Sequence, residues 1–105
     1  MDKNDALNIA RQFAALVKTN YDCEQIFLFG SYVKDNFHDE SDIDIAVILK
    51  GFDNPIDTQL ELMRLRRKID SRIEPHPFRE KDFNSSNPLV QEIMKYGKRI
   101  VTLDV

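Results

Sequence analysis

The residues of this chain whose types and spacing could do chemistry are the pair Gly30-Ser31 and, ten residues later, the triplet Asp42-Ile43-Asp44. Gly30 follows a continuously apolar run, which is typical of a strand covered on both faces. A glycine lets the chain turn sharply and lets an anion approach the main chain. Ser31 adds a hydroxyl and an N–H at what the pattern predicts to be a helix start. The sequence therefore predicts a phosphate-binding turn followed by two carboxylates.

The two carboxylates belong to a second apolar stretch, residues 43–49, which we predict to be a strand. Because side chains alternate between the faces of a strand, Asp42 and Asp44 are expected to point the same way, about 7 Å apart. Carboxylate oxygens are the ligands that Mg²⁺ prefers in proteins. A pair of Mg²⁺ ions can stabilise both the attacking and the leaving oxygen of a displacement at phosphorus.

A third acid is normally needed for such a site, and Glu74 is the first candidate. It lies in residues 69–76, which we predict to be a third strand. Asp70 is the reserve, because it would point the same way from that strand. An ordinary surface carboxylate is the alternative interpretation of Glu74.

At these residues the chain resembles the nucleotidyltransferase superfamily that includes DNA polymerase β, in its smallest form, the minimal nucleotidyltransferase (MNT) domain. In that family the Gly-Ser pair binds the phosphates of a nucleoside triphosphate. The Asp-x-Asp pair and a later acid bind two magnesium ions. The resemblance implies these roles for Gly30, Ser31, Asp42, Asp44 and Glu74. It also implies an α/β (α+β) fold with a small mixed β-sheet flanked by helices, and ATP as the nucleotide donor.

The chain departs from the family pattern just after the Gly-Ser pair. The family often continues Gly-Ser-x-Ala-Arg-Gly, whereas this chain has Lys34 and Asp35 at the last two positions. Lys34 can keep the basic role toward phosphate. Asp35 replaces a glycine with a negative charge close to the expected phosphates, which we expect to affect the catalytic rate more than the fold.

The resemblance also implies a partner. Stand-alone MNT proteins are commonly MntA-type antitoxins, paired with HEPN-domain RNase toxins, and they transfer AMP to a toxin tyrosine. The chain is therefore expected to act on a hydroxyl of a HEPN-type protein. The competing interpretation is an MNT-like binding module that neutralises its partner by contact alone. The sequence leaves open the nucleotide base, the acceptor and the oligomeric state. A homo-oligomer is one of the open alternatives.

The composition of the chain limits its domain organisation, its substrates and its expected compartment. At 105 residues, with 42% hydrophobic residues, the chain is expected to form one domain, residues 1–105. Its 18 acidic and 15 basic residues give no general electrostatic attraction for nucleic acid, so a polynucleotide substrate is not expected. Cys23 stands alone, which excludes an internal disulfide. We find no pattern of a signal peptide or of a membrane span, so the cytoplasm is the expected compartment.

The secondary structure predicted around these residues alternates helices and strands. The strands are residues 26–29, 43–49, 69–76 and 99–105, and two prolines at the end of the third suggest that it leaves the sheet. The helices are residues 5–18 with Asn4 as N-cap, residues 57–68, and a segment capped by Asn87 and Gly97. The second helix is expected to bury Leu60 and Met63, and the third to bury a stripe of Leu89, Val90, Ile93 and Met94.

Two histidines and a basic run receive plainer interpretations. His38 and His76 have no third partner at metal-ligand spacing, so both are predicted to be surface or local hydrogen-bonding groups. The run from Arg64 to Lys68 could dock a partner, but it is more typical of a solvated helix face.

Overall fold

Four strands form one mixed sheet in the computed structural model, which describes residues 2–38 and 40–101. The strands are β1 (Cys23–Phe29), β2 (Ile43–Leu49), β3 (Ile73–Arg79) and β4 (Lys98–Arg99). The helices are α1 (Lys3–Asn20), α2 (Pro55–Leu65) and α3 (Pro88–Tyr96). The sheet order is β3-β2-β1-β4; the neighbours β2 and β3 pair in parallel, and β1 pairs antiparallel with both β2 and β4. The predicted small mixed sheet with flanking helices is confirmed.

Each face of the sheet has its own hydrophobic core. One face packs on α1 and α2 and buries alternate strand residues, among them Ile26, Leu28, Ile43, Ile45 and Ile73. The opposite face packs on α3 and buries Phe29, Ala46, Ile48 and Ile93. The apolar run before Gly30 is therefore covered on both sides, as its composition predicts. Asp44 and Glu74 lie on the α3 side, because they alternate with the Ile residues of the first face.

Helix α1 begins earlier than predicted. Its N-cap is Asp2, not Asn4, and Asp2 and Asp5 form a reciprocal capping box. Aspartate is as good an N-cap as asparagine, and the acidic partner three residues later decides between them. The predicted apolar face is confirmed at Ala6, Ala10, Phe13 and Val17, which are fully buried.

Helix α2 has a different phase from the predicted one. Asn54 caps it through hydrogen bonds from the N–H groups of Ile56 and Asp57, two residues earlier than the sequence indicated. Its inward face carries Thr58 and Leu62, whereas Leu60 is 47% exposed, so the predicted burial of Leu60 is wrong. A short 3₁₀ turn, Arg66–Lys68, follows in place of the predicted last helical turn.

Strand β3 begins four residues later than predicted, and its prolines lie inside it. Pro75 pairs with Ile45 and Pro77 with Val47, so the strand does not leave the sheet there. An edge strand tolerates proline where the missing N–H would face outward. The outward carbonyls of Ile73 and Pro75 accept hydrogen bonds from the side chains of Arg66 and Gln59, at 2.8 and 3.2 Å.

The end of the chain agrees in part with the prediction. Asn87 and Gly97 cap α3 as expected, and Val90 and Ile93 are fully buried. Met94 is 59% exposed, so the predicted apolar stripe is only half buried. Strand β4 is limited to Lys98–Arg99, and residues 102–105 of the predicted last strand lie outside the described residues. Among the residues described, no helix has both the length and the apolar character to cross a bilayer.

Candidate active site

The Gly-Ser pair forms a tight turn at the end of β1. Residues Gly30–Tyr32 make a single 3₁₀ turn, so the helix start predicted at Ser31 is a short one. Gly30 has φ +80°, a conformation that L side chains rarely adopt. Tyr32 fixes the other end of the turn, because its ring is fully buried and stacks on Phe37 with a centroid distance of 4.7 Å. This anchor was not recognised in the sequence.

The turn lies directly against Asp44. Phe29 and Asp44 are partners in the antiparallel ladder between β1 and β2, which brings Gly30 beside the aspartate. A Cβ atom on Gly30 would lie 2.4 Å from Oδ2 of Asp44. Only a glycine therefore leaves room for this carboxylate. The predicted phosphate-binding turn and one predicted metal ligand are thus in contact.

The other two predicted ligands are Glu74 on the neighbouring strand and Asp42, which lies two residues before Asp44 in the chain. Glu74 is the register partner of Asp44 on the parallel strand β3, so the two side chains leave the same face of the sheet. The carboxylate of Glu74 is 4.0 Å from Nη1 of Arg66. Asp42 precedes β2 and is exposed. The reciprocal hydrogen bonds between His38 and Ser41 shape the loop that leads into it.

Asp70, the reserve ligand, lies away from this row. Because β3 begins at Ile73, Asp70 is not part of the strand, and the premise for choosing it is wrong. Its carboxylate instead accepts hydrogen bonds from the Arg72 side chain, at 2.7 and 3.0 Å, and from the Arg72 backbone N–H. The side-chain hydrogen bonds from Arg72 hold the pKa of Asp70 below its usual range.

His76 is a residue of the site that sequence reasoning did not place there. The sequence predicts a surface or local hydrogen-bonding group, but His76 is half-buried and its partner lies on another strand: Nε2 of His76 lies 3.1 Å from Oδ1 of Asp44. The signal was its position two residues after Glu74, on the same strand face. His38 is exposed, and its hydrogen bonds within the described part of the chain are local, as predicted.

Lys34 and Asp35, the residues that depart from the family pattern, continue the turn. Lys34 forms an ion pair with Glu92 of α3, and its Nζ lies 5.3 Å from the centre of the Tyr96 ring. Its role toward phosphate stays a prediction. Asp35 is exposed and has φ +60°, so its backbone takes a left-handed conformation that a glycine would adopt without strain.

The chemistry of the acidic row suits a hard cation. Asp42, Asp44 and Glu74 offer only carboxylate oxygens, the donors that Mg²⁺ takes together with substrate phosphates and water. Across residues 2–38 and 40–101, however, no three Asp, Glu, His or Cys side chains are already arranged as a metal-binding group. The donor types fit magnesium, and the full set of ligands would have to include groups from the substrate.

A groove lies beside the site at the outer edge of β3. It has a volume of about 240 Å³ and is bounded by α2 and by β3. Its lining residues are Pro55, Ile56, Gln59, His76, Pro77 and Phe78. His76 therefore separates the groove from Asp44. The Gly30 turn lies on the opposite side of Asp44, because β2 stands between β1 and β3.

Comparison with protein families gives one match over most of the chain. The sequence model described as "Polymerase beta, Nucleotidyltransferase" matches residues 11–104. The curated proteins contain no significant match.

Solved structures resemble the fold over nearly its whole length. A chain from a mutant form of the toxin–antitoxin MntA–HpeT has a TM-score of 0.67 and 25% identity, covering 98% of this chain and 75% of that one. A toxin–antitoxin structure with AMP-PNP has a TM-score of 0.66, with the same identity and coverage. A tri-AMPylated Shewanella oneidensis HEPN toxin in complex with MNT antitoxin gives a TM-score of 0.63 and 25% identity, covering 96% of this chain and 73% of that chain.

Proposed function

The chain belongs to the polymerase β nucleotidyltransferase family, and from this premise we propose that it transfers AMP from ATP to a hydroxyl of a HEPN-type partner protein, as an antitoxin. Its mixed sheet and three described helices match the polymerase β-like nucleotidyltransferase fold, and its structural neighbours are MNT antitoxins paired with HEPN toxins. Two of these neighbours support ATP as the donor and an AMP-modified protein as the product, since one contains AMP-PNP and another contains an AMPylated toxin. We place this activity in the cytoplasm.

One observation carries the proposal: the backbone of Gly30 lies against the carboxylate of Asp44. A nucleotidyltransferase must hold the triphosphate and its cation together, because the cation shares the phosphate oxygens. In this chain the turn with an open backbone and the acid row meet at one end of the sheet. Either feature alone would be common.

The residues divide the work as follows. The N–H groups of the turn and the hydroxyl of Ser31 bind the triphosphate, and Gly30 allows its close approach. Asp42, Asp44 and Glu74 would hold magnesium, which when bound neutralises phosphate charge and stabilises the attacking and leaving oxygens. Lys34 would add a positive charge if it exchanges Glu92 for phosphate.

The reaction is a displacement at the α-phosphorus of ATP. The acceptor oxygen forms a new bond to the α-phosphorus, and the bond from that phosphorus to pyrophosphate breaks, so that pyrophosphate leaves with the electron pair. The hydroxyl proton passes to a carboxylate, either Asp44 or Glu74. An in-line displacement needs the acceptor opposite the leaving group. With pyrophosphate held at the Gly30 turn, the acceptor would approach from the β3 side, where the groove beside His76 lies.

A second candidate function is a contact-only module with a weak nucleotide site. Asp35 favours it, because this residue, whose backbone is left-handed, adds a negative charge after the turn where the family often has a glycine. The ion pair with Glu92 also occupies Lys34, the basic residue that follows the turn.

Thermal unfolding with Mg²⁺ and ATP tests the proposed site. We expect the pair of ligands to raise the melting temperature, because they bind the folded state only. Asp42→Asn and Asp44→Asn should each remove most of this rise. Asp53→Asn is the matched control, since Asp53 is exposed and contributes only its backbone carbonyl to the contact with Arg79. An undiminished rise in both site variants would contradict the assignment.

Transfer of labelled AMP separates the two candidates for the third acid. Glu74→Gln should lower transfer by roughly 100-fold or more with the fold intact, because a metal ligand acts mainly in the transition state. Asp70→Asn should lower it by less than about tenfold, because Asp70 lies outside β3 and is bound to Arg72. The reverse ranking would move the third ligand to Asp70.

A further inference from the structure

His76 and Asp44 form the direct side-chain contact at the centre of the acid row. Their exposed side-chain fractions are 28% and 26%, so the hydrogen bond of 3.1 Å is partly shielded from water. A carboxylate oxygen accepts in such a contact and Nε2 of His76 donates, which takes the imidazole with a proton on Nε2. This contact runs diagonally between neighbouring strands, from β3 back toward the start of β2.

Two features of the sheet hold the imidazole in this position. Its register partner on β2 is Ala46, a small and fully buried residue that leaves space above the strand. The ring reaches across to β1, where it meets Phe29 edge to face, with a centroid distance of 5.0 Å and an interplanar angle of 63°. The histidine is therefore packed on both β1 and β2, and its orientation does not depend on the hydrogen bond alone.

Both oxygens of Asp44 are consequently constrained. Oδ2 lies against the backbone of Gly30, and Oδ1 accepts the hydrogen bond from His76. The other two predicted ligands lack such a pair of constraints, since Asp42 is exposed and Glu74 has an arginine nitrogen 4.0 Å away. A ligand that is already fixed loses less conformational freedom when a cation binds.

We propose that His76 is a positioning residue, which holds the Asp44 carboxylate in one orientation so that its remaining lone pairs face the divalent cation. This inference rests on the proposed function, because it takes Asp44 as a metal ligand. A hydrogen-bonded carboxylate is the usual arrangement around protein-bound metals, and loss of such an outer partner typically weakens metal binding or activity by about 10- to 100-fold.

Binding of Mn²⁺ alone to the purified chain, measured by electron paramagnetic resonance of the free ion, tests the proposal. His76→Phe keeps a ring against Phe29 but removes the donor, and it should weaken Mn²⁺ binding by about tenfold or more. His76→Gln restores an N–H donor and should bind within about threefold of the parent chain. Melting temperatures in EDTA establish that both variants are folded.

Each outcome decides a different part of the argument. If Mn²⁺ binding depends on Asp44 but is unchanged in His76→Phe, the positioning role is wrong while the proposed function stands. If the glutamine variant is as weak as the phenylalanine variant, the hydrogen bond is not the cause and the proposal fails. If the parent chain binds no Mn²⁺ either alone or with AMP-PNP present, or if Asp44→Asn binds it equally well, the proposed function fails as well. Normal Mn²⁺ binding with lost transfer in His76→Phe would make His76 a catalytic residue instead.

Discussion

Replacement of Gly30 by alanine probes the contact on which the site depends. The backbone at Gly30 has φ +80°, and an added Cβ would lie 2.4 Å from Oδ2 of Asp44 and 3.2 Å from its Cγ. The methyl group can be accommodated only if the carboxylate moves. Because the other oxygen of Asp44 is bound to His76, that movement also strains or breaks a hydrogen bond.

The expected magnitude follows from three contributions. A left-handed conformation costs an alanine roughly 1–2 kcal/mol. Loss of the hydrogen bond between Asp44 and His76 adds about 1 kcal/mol. The lower entropy of alanine in the unfolded chain returns about 0.4–1 kcal/mol. We therefore expect Gly30→Ala to lower the free energy of unfolding by about 2 kcal/mol.

Urea denaturation measures this change, with Gly51→Ala as the matched control. No atom lies within 4 Å of a Cβ built on Gly51, so that variant should be neutral or slightly stabilising. In an Asp44→Ala background the steric conflict is gone, and Gly30→Ala should cost only about half as much. Equal midpoints for Gly30→Ala and Gly51→Ala would refute the reasoning, and so would an unchanged cost in the Asp44→Ala background.

Three further predictions concern the surroundings of the site. Asp35→Gly should change the free energy of unfolding by less than about 1 kcal/mol relative to the parent chain. Glycine relieves the left-handed strain, but it also has a higher entropy in the unfolded chain, and the two effects offset each other. The same variant should raise the kcat/KM for ATP, because it removes a negative charge. A decrease in the free energy of unfolding of more than about 2 kcal/mol, or a fall in kcat/KM, would contradict this prediction. Asp70→Asn should cost about 0.5–1 kcal/mol at neutral pH. Arg72 lowers the pKa of Asp70 in the folded state, so this stabilisation is present above the unfolded-state pKa of about 4 and is lost as the pH falls through the folded-state pKa. A difference in urea denaturation between the parent chain and Asp70→Asn that does not depend on pH would be inconsistent with this. Burial raises the pKa of Cys23 to about 11, so iodoacetamide should alkylate it at pH 8 at least roughly 100-fold more slowly than a free cysteine, and reaction at the free rate would show that the thiol is accessible.

The main features of the fold follow from local rules that the sequence displays. Strand β2 has the predicted bounds, and α3 has the predicted caps, because an apolar run and an Asn-Pro start are nearly independent of context. The bounds of α2 and β3 were less accurate. The phase of α2 depends on which side meets the sheet, and the prolines of β3 are acceptable only because it became an edge strand.

The contacts of the site could be predicted only in part. The spacing of the Gly-Ser and Asp-x-Asp residues indicates that they act together, but the contact between Gly30 and Asp44 depends on the register of β1 with β2. The hydrogen bond from His76 depends in addition on the parallel register of β3 and on the small side chain of Ala46. Such pairings between distant segments cannot be derived from the local pattern of one strand.

The most direct test of the account is the intact mass of a HEPN-type partner coexpressed with the chain. We predict one or more additions of about 329 mass units on the partner, the mass of an AMP group in ester linkage. Asp42→Asn combined with Asp44→Asn should abolish the addition while leaving the complex detectable. An unmodified partner that the parent chain and the double variant neutralise equally well would contradict the enzymatic account and favour the contact-only module.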